Sequence, residues 1–344
     1  MIAAADLEHC REAIRTGSLS FHAASRVLPD AVRDPALALY AFCRVADDAV
    51  DEGDDKTHEV LGLRDRLDRV YSGRPMDAPA DRAFAAVVEE FDMPRELPEA
   101  LLEGFAWDAM GRRYDTLSGV MDYSARVAAV IGAMMCVLMR VRDPDTLARA
   151  CDMGLAMQLT NIARDVGEDA RAGRLFLPLE WFDEAGLKVE DFMAKPGPDP
   201  RVLAMVARLL READRLYTRA AAGVPRLPLI CRPGMYAAGT IYRGIGLEIA
   251  RLGHDSVSQR AHTGPWRKLW WLSTSVMRAG VSAITPQEAT LFAAPEPEVA
   301  FLVEAAAHPR HDYSRSDALL AALAQLEAKD QRVRQQRRMR VRQA

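Results

Sequence analysis

The chain has 344 residues, 49% of them apolar and 27% charged, with a formal net charge of −4 at neutral pH. That length supports one large or two ordinary domains with a sizeable core, and the slight negative charge argues against a general nucleic-acid binder. Five cysteines, odd in number and without a CxxC pair, argue against a metal finger or a disulfide framework and for a reducing compartment.

The N-terminal stretch MIAAADLEHCREAIR lacks the basic start and apolar run of a secretory signal. Helix formers and apolar residues at helical spacing then dominate, while alternating stretches rich in Val, Ile and Thr are nearly absent. The pattern predicts an all-α fold, with helices over 6–16, 20–27, 35–51, 57–71, 81–91, 97–110, 120–140, 145–167, 178–184, 200–222, 234–253 and 259–280. Breaks fall at Leu28-Pro29-Asp30, Ser72-Gly73-Arg74-Pro75, Asp143-Pro144 and Lys195-Pro196-Gly197-Pro198. The longest apolar run, Val127 to Met139, is shorter than the ~20 residues a membrane span needs, so it reads as a buried core helix.

Near the end of the helical region, Trp266, Trp270 and Trp271 stand among basic neighbours in WRKLWWL. This segment reads either as a membrane-facing patch or as a core helix with a basic outer face. Beyond Thr285-Pro286 the texture changes. A Pro/Glu spacer at 294–298, two short helices near 298–307 and 315–329, and an arginine-rich end from Arg332 to Arg342 are expected. The domain reading is therefore a main domain over 1–285 and an appended segment over 286–344. The arginine-rich end is either a solvated tail or an attractant for anionic lipid.

Two acidic blocks raise a chemical question. In YAFCRVADDAVDEGDD, Arg44, Asp47, Asp48 and Asp51 are spaced to share one helical face, with Tyr40 one turn earlier on the same stripe. In QLTNIARDVGEDARAGRLFLP, Gln158, Asn161, Asp165 and Asp169 again share one face, with Arg164 beside it and Arg171 and Arg174 following. Like charges at these spacings repel by a few tenths of a kcal/mol per pair, roughly. Amides are indifferent choices for a helix core unless they have partners. Two such strips in an apolar helical protein call for counter-charge. Mg²⁺ supplies it, typically through one or two carboxylates plus phosphate oxygens. No GxxxxGK[ST], HExxH or GxSxG competes, Gly244 and Gly246 follow no strand, and the seven histidines show no ligand spacing.

The same two blocks resemble the paired signatures of the squalene/phytoene synthase family, its bacterial phytoene-forming branch above all, over about residues 8–280. The resemblance implies an isoprenoid synthase fold, a helical bundle with a deep central apolar cavity, with a head-to-head prenyl synthase domain over 1–285. It implies Mg²⁺- or Mn²⁺-dependent condensation of two geranylgeranyl diphosphates through prephytoene diphosphate to phytoene, with loss of diphosphate and no NADPH. Asp47, Asp48, Asp51, Asp165 and Asp169 match the family's metal positions. Tyr40, Arg44, Tyr123, Gln158, Asn161, Arg164 and Tyr242 match its catalytic positions. Ser18, Phe21, Arg44, Arg164, Arg174, Phe176, Arg260 and Lys268 match its substrate positions. Two departures bear on selectivity: Phe176 stands where many relatives carry Tyr, and Ala129 stands where they carry Gly. A cytoplasmic enzyme with peripheral contact at the inner membrane face, near other carotenoid enzymes, is the expected setting. The alternatives are a farnesyl diphosphate-using dehydrosqualene or squalene synthase, and a non-catalytic relative acting in assembly.

Overall fold

Every regular element among the described residues is helical, as the apolar spacing predicts. The computed structural model describes residues 1–17, 25, 28–52, 56–261, 264–284 and 286–308, without the side chains of 45–52, 56–60, 265–269 and 272. The predicted helices at 20–27 and 315–329 thus fall outside the described residues, almost wholly for the first and wholly for the second. The described chain divides into two compact units, one holding 1–17 and 30–112, the other 25, 28, 29 and 113–308.

The first unit consists of α1 (Ala4–Gly17), α2 (Asp30–Glu52), α3 (Lys56–Tyr71), α4 (Pro79–Phe91) and α5 (Glu96–Ala109). Its core is made where the apolar stripes of α2 and α4 meet. Leu37, Ala38, Ala41 and Phe42 are buried against Ala83, Phe84 and Val87, and the rings of Phe42 and Phe84 stack at 4.4 Å. Fully buried Asp81 is matched by Arg66 (Nε to Oδ1, 3.0 Å), and buried Asp6 by Arg82 (Nη2 to Oδ1, 2.5 Å). Each leaves no isolated charge inside.

The second unit is built on one long helix, α7 (Pro144–Arg171). Asp143 caps it by accepting from Thr146 N at 3.0 Å, and Pro144 occupies the first turn, where its missing N–H costs nothing. Four helices pack on it: α6 (Leu117–Leu138), α10 (Pro200–Ala221), α11 (Arg232–Arg251) and α13 (Ala300–Ala307). The short α8 (Leu179–Glu184) and α9 (Val189–Ala194) and the peripheral α12 (Pro265–Val281) complete the unit. The helix expected from 259 begins only at Pro265, because Asp255 Oδ1 accepts from Val257 N (3.1 Å) and Ser258 N (2.9 Å) and holds that stretch as a turn.

Helix α6 is the apolar run singled out in the sequence, and its Ala129, Val130, Ala133 and Met134 are fully buried. It is long and apolar enough to cross a membrane by length and composition, yet 61% of its apolar window is buried inside the protein. A π-turn at Ala125–Ala129 interrupts it. There α6 and α7 meet backbone to backbone. A Cβ on Gly154 would stand 2.6 Å from Ala128 O and 2.7 Å from Ala129 N. Gly154 is therefore fixed by the backbone of α6 at Ala128 and Ala129, which leaves no room for a side chain on the facing helix.

Candidate functional site

Helix α7 continues unbroken through the second acidic block, so Gln158, Asn161, Asp165 and Asp169 do lie along one face. Asn161 Nδ2 donates to Gln158 Oε1 at 3.5 Å. Arg164 grips Asp165 with both arms of its fork, Nε to Oδ1 at 2.8 Å and Nη2 to Oδ2 at 2.6 Å. Arg174 donates to Asp169 Oδ1 from Nε and Nη2, at 3.1 and 2.9 Å. Arg260, ninety-five residues beyond Asp165, adds a third guanidinium, with Nε 2.9 Å from Asp165 Oδ1 and Nη1 3.2 Å from Glu168. Three arginines thus surround two half-buried carboxylates. That arrangement suits a polyanion whose phosphate oxygens accept bidentate forks.

The electrostatics point the same way. Burial raises the Asp169 carboxyl above its ordinary 3.8; Arg174 opposes this, while Asp165 and Glu168 add to it. Hydrogen bonding to Asp165 chiefly raises Arg164. Tyr242, on α11, has its phenol raised above 10 by burial, and it lies within the fields of Arg164 and Asp165. Helix packing therefore brings Tyr242 to the same strip.

Gly167, within DVGED, explains how Arg260 arrives. Its N–H donates to Ser256 O at 3.0 Å, and a Cβ there would lie 2.7 Å from Val257 Cα. Arg171 Nη1 also donates to Val257 O at 3.0 Å. The 254–258 turn is laid directly on the backbone of α7, and two residues later Arg260 reaches Asp165.

A second cluster is aromatic. Tyr123 and Phe176 stack at 5.2 Å, and Tyr114 closes the group at 5.4 Å from Tyr123 and 6.3 Å from Phe176. Leu179 N and Glu180 N donate to the carbonyls of Tyr114 and Asp115, each at 2.9 Å, and this fastens the three rings together. Tyr114 is missing from the residues expected from sequence. Its only signal is an aromatic just before the α6 cap in RRYDTL.

In the first unit, α2 runs to Glu52, so Arg44, Asp47, Asp48 and Asp51 occupy one face of a continuous helix. Tyr40 and Arg44 are partly buried. The side chains of Asp47, Asp48, Asp51 and Lys268, and all of Ser18 and Phe21, lie outside the described residues. Among the described residues, no group of three His, Cys, Asp or Glu side chains is arranged to hold a metal ion. The α7 pair nevertheless fits the small protein share of a Mg²⁺ site, because Asp165 and Asp169 are half-buried carboxylates one turn apart on one face, with Glu168 adding to the negative charge around Asp169. An open concavity of about 440 Å³ in the first unit, lined by Asp65, Asp68, Arg69, Ser72 and Arg74, contains none of these residues.

The family model described as squalene/phytoene synthase matches residues 14–267. The chain belongs to the squalene/phytoene synthase family. Family relatives include a phytoene synthase of Cereibacter sphaeroides, 67% identical over 98% of both chains, and one of Rhodobacter capsulatus, 63% identical over 96% of this chain and 98% of that one. A 15-cis-phytoene synthase of Paracoccus is 42% identical over 75% of this chain and 86% of its own. Among solved structures, a dehydrosqualene synthase in complex with ligand superposes with a TM-score of 0.73 at 28% identity, covering 80% of this chain and 97% of that one. The fold is that of the family's isoprenoid synthases.

Proposed function

We propose that this member of the family is a phytoene synthase. It joins two molecules of geranylgeranyl diphosphate head to head, through prephytoene diphosphate, to phytoene, releasing two diphosphates and two protons, one at each step. The observation that carries this reading is the 67% identity over 98% of both chains to a phytoene synthase. No reductant is consumed, so NADPH is not required. The reaction is the first committed step toward carotenoids.

In this reading Asp165 and Asp169, with Asp47, Asp48 and Asp51 from the first motif, hold Mg²⁺ or Mn²⁺. The metal supplies Lewis-acid neutralisation of the departing diphosphate. Arg164, Arg174 and Arg260 bind the phosphate oxygens, with Arg44 and Lys268 as further cations. When a substrate phosphate arrives, the guanidiniums exchange a carboxylate for it without leaving a charge unpaired. Gln158 and Asn161 orient polar groups along the strip. Tyr40, Tyr123, Phe176 and Tyr242 line the apolar cavity, present ring faces to cationic carbons and exclude water. Ser18 and Phe21 are assigned to substrate binding by the family resemblance. The enzyme works in the cytoplasm, in peripheral contact with the inner membrane face and close to the enzymes that consume its product.

A dehydrosqualene synthase reading is favoured by one observation, the structural likeness at 28% identity. It rests on much lower identity than the phytoene synthase reading. Release of inorganic diphosphate from geranylgeranyl diphosphate tests the proposal. The expected result is saturable release with Mg²⁺ or Mn²⁺ and without NADPH, abolished by EDTA. No release by folded, metal-supplemented protein would leave the non-catalytic relative as the better account.

A further inference from the structure

Tyr114 is the member of the aromatic cluster to which the family resemblance gives no role. Its ring lies 5.4 Å from that of Tyr123 and 6.3 Å from that of Phe176, and those two stand 5.2 Å apart. The centroids form a near-equilateral triangle, with interplanar angles of 33, 18 and 22°. Each ring packs on both others, so displacing one loosens the remaining pair. Tyr114 and Tyr123 are 2 and 4% exposed, whereas Phe176 is half-buried. Phe176 is the open side of the cluster, and Tyr114, the most deeply buried of the three, backs the other two.

The backbone fixes Tyr114 on two sides. Leu179 N donates to Tyr114 O and Glu180 N to Asp115 O, each at 2.9 Å, and Leu117 N donates back to Glu180 Oε1 at 3.3 Å. Thr116 Oγ1 caps α6 by accepting from Gly119 N at 3.2 Å, and a Cβ on Gly119 would meet Tyr114 Cβ at 3.5 Å and Cδ1 at 3.7 Å. The Tyr114 side chain thus lies against the first turn of α6, while its backbone is tied to the start of α8. Tyr123 has a less regular mount. The π-turn at Ala125–Ala129 begins two residues after it, and such departures from α geometry are frequent at functional sites. Phe176 lies in the link between α7 and α8, two residues beyond Arg174, which holds Asp169 at 2.9 Å. Two extended residues span at most about 7 Å, so the cluster abuts the polar strip of α7.

We propose that Tyr114 is a positioning residue of the condensation. It acts through Tyr123 and Phe176, holding their rings as a closed wall beside the polar strip. That wall keeps water from the carbocation left when diphosphate departs. The inference rests on the proposed function, in which Tyr123 and Phe176 line the reaction cavity. The chemistry makes a loosened wall visible. A water oxygen that reaches the cation forms a C–O bond and gives up a proton to bulk solvent, so an alcohol is made in place of hydrocarbon. Diphosphate has already left in either case. Loss of the Tyr114 ring should therefore change what is made more than how tightly substrate binds.

The test is the ratio of isoprenoid alcohols to phytoene made by full-length protein from geranylgeranyl diphosphate with Mg²⁺, with diphosphate release measured alongside. Tyr114→Leu removes the ring. It should raise the ratio about tenfold and lower kcat for phytoene about tenfold, with KM within about twofold of wild type. Tyr114→Phe keeps the ring and should match wild type in all three. Arg149→Met, which strips a buried ion pair from the same unit, should leave the ratio unchanged, so that leakage is separated from loss of stability. Should Tyr114→Leu fail to fold, Tyr114→Met fills the space with an adaptable chain and takes its place, with the same expected ratio. A folded Tyr114→Leu or Tyr114→Met with the wild-type ratio overturns the inference. So does a leaking Tyr114→Phe, which would assign the effect to the hydroxyl, or an Arg149→Met that leaks equally. Wild type that makes neither phytoene nor alcohol overturns the proposed function itself, and this inference with it.

Discussion

Asp165→Ala lowers kcat for diphosphate release about a thousandfold, the scale of losing a main charge stabiliser of a leaving group. The substrate KM should change little or fall. The reason lies in the partners: Asp165 occupies both arms of Arg164 and the Nε of Arg260. Removing it frees two guanidiniums to bind phosphate more tightly, while under the proposed function the metal would lose a ligand. Asp165→Asn, which keeps the shape but not the charge, should behave alike, and raised Mg²⁺ should restore part of the rate. A parallel rise in KM with unchanged kcat would place Asp165 in substrate binding instead. Acid should act through Asp169. Burial raises its carboxyl above 3.8, so on falling pH it is neutralised earlier than an ordinary aspartate. Metal-supported activity should therefore be lost at a higher pH than an unperturbed carboxylate would set.

Arg149→Met destabilises the second unit by about 3–5 kcal/mol, the usual cost of stripping one partner from a buried ion pair. Arg149 is 1% exposed and Asp152 is 0% exposed. Arg149 Nε lies 2.7 Å from Asp152 Oδ2, and Nη1 donates to the carbonyls of Thr290 (2.6 Å), Leu291 (3.2 Å) and Ala293 (3.0 Å). One guanidinium thus fastens the 290–293 segment onto α7. Arg219 also binds Asp152 Oδ2 at 3.0 Å and Glu296 at 3.2 Å. Without Arg149, burial of Asp152 is opposed by Arg219 alone and three carbonyls lose their donor. Thermal unfolding followed by circular dichroism should show a fall of about 10 °C, from roughly 2–4 °C per kcal/mol. Arg149→Met/Asp152→Leu should recover much of it, because removing both charges removes the desolvation cost as well. A single-variant loss under 1 kcal/mol would contradict the role given to Arg149.

Most of the fold was legible because helical spacing is a local signal. The helix expected over 145–167 is Pro144–Arg171, and its start was marked by the cap residue and proline. Its end was not. The expected end at 167 falls four residues short: the helix runs on to Arg171, just before Gly173 takes a positive φ of 79°. Helix α9, with six residues, is too short to show a period. The Arg149–Asp152 pair, three residues apart, looks from sequence like any exposed helical ion pair. Its burial is set by residues 290–294, whose texture suggested a connecting stretch.

The site divides in the same way. Gln158, Asn161, Arg164, Asp165 and Asp169 could be aligned because one helix carries them. Arg260, Tyr242 and Tyr114 arrive through tertiary packing, and spacing says nothing about their neighbours. Only the family resemblance pointed to the first two. Gly167 and Gly154 carry no chemistry, and their importance appears only when the backbone lying against each is known.

The most direct test of the central claim is the chain length of the product. Purified protein with Mg²⁺ and without NADPH should be given geranylgeranyl and farnesyl diphosphate in separate reactions, and the extracts identified by mass. A forty-carbon phytoene from the first substrate, absent with EDTA and with Asp165→Ala, is the predicted result. A thirty-carbon product from farnesyl diphosphate, with none from geranylgeranyl diphosphate, would contradict it.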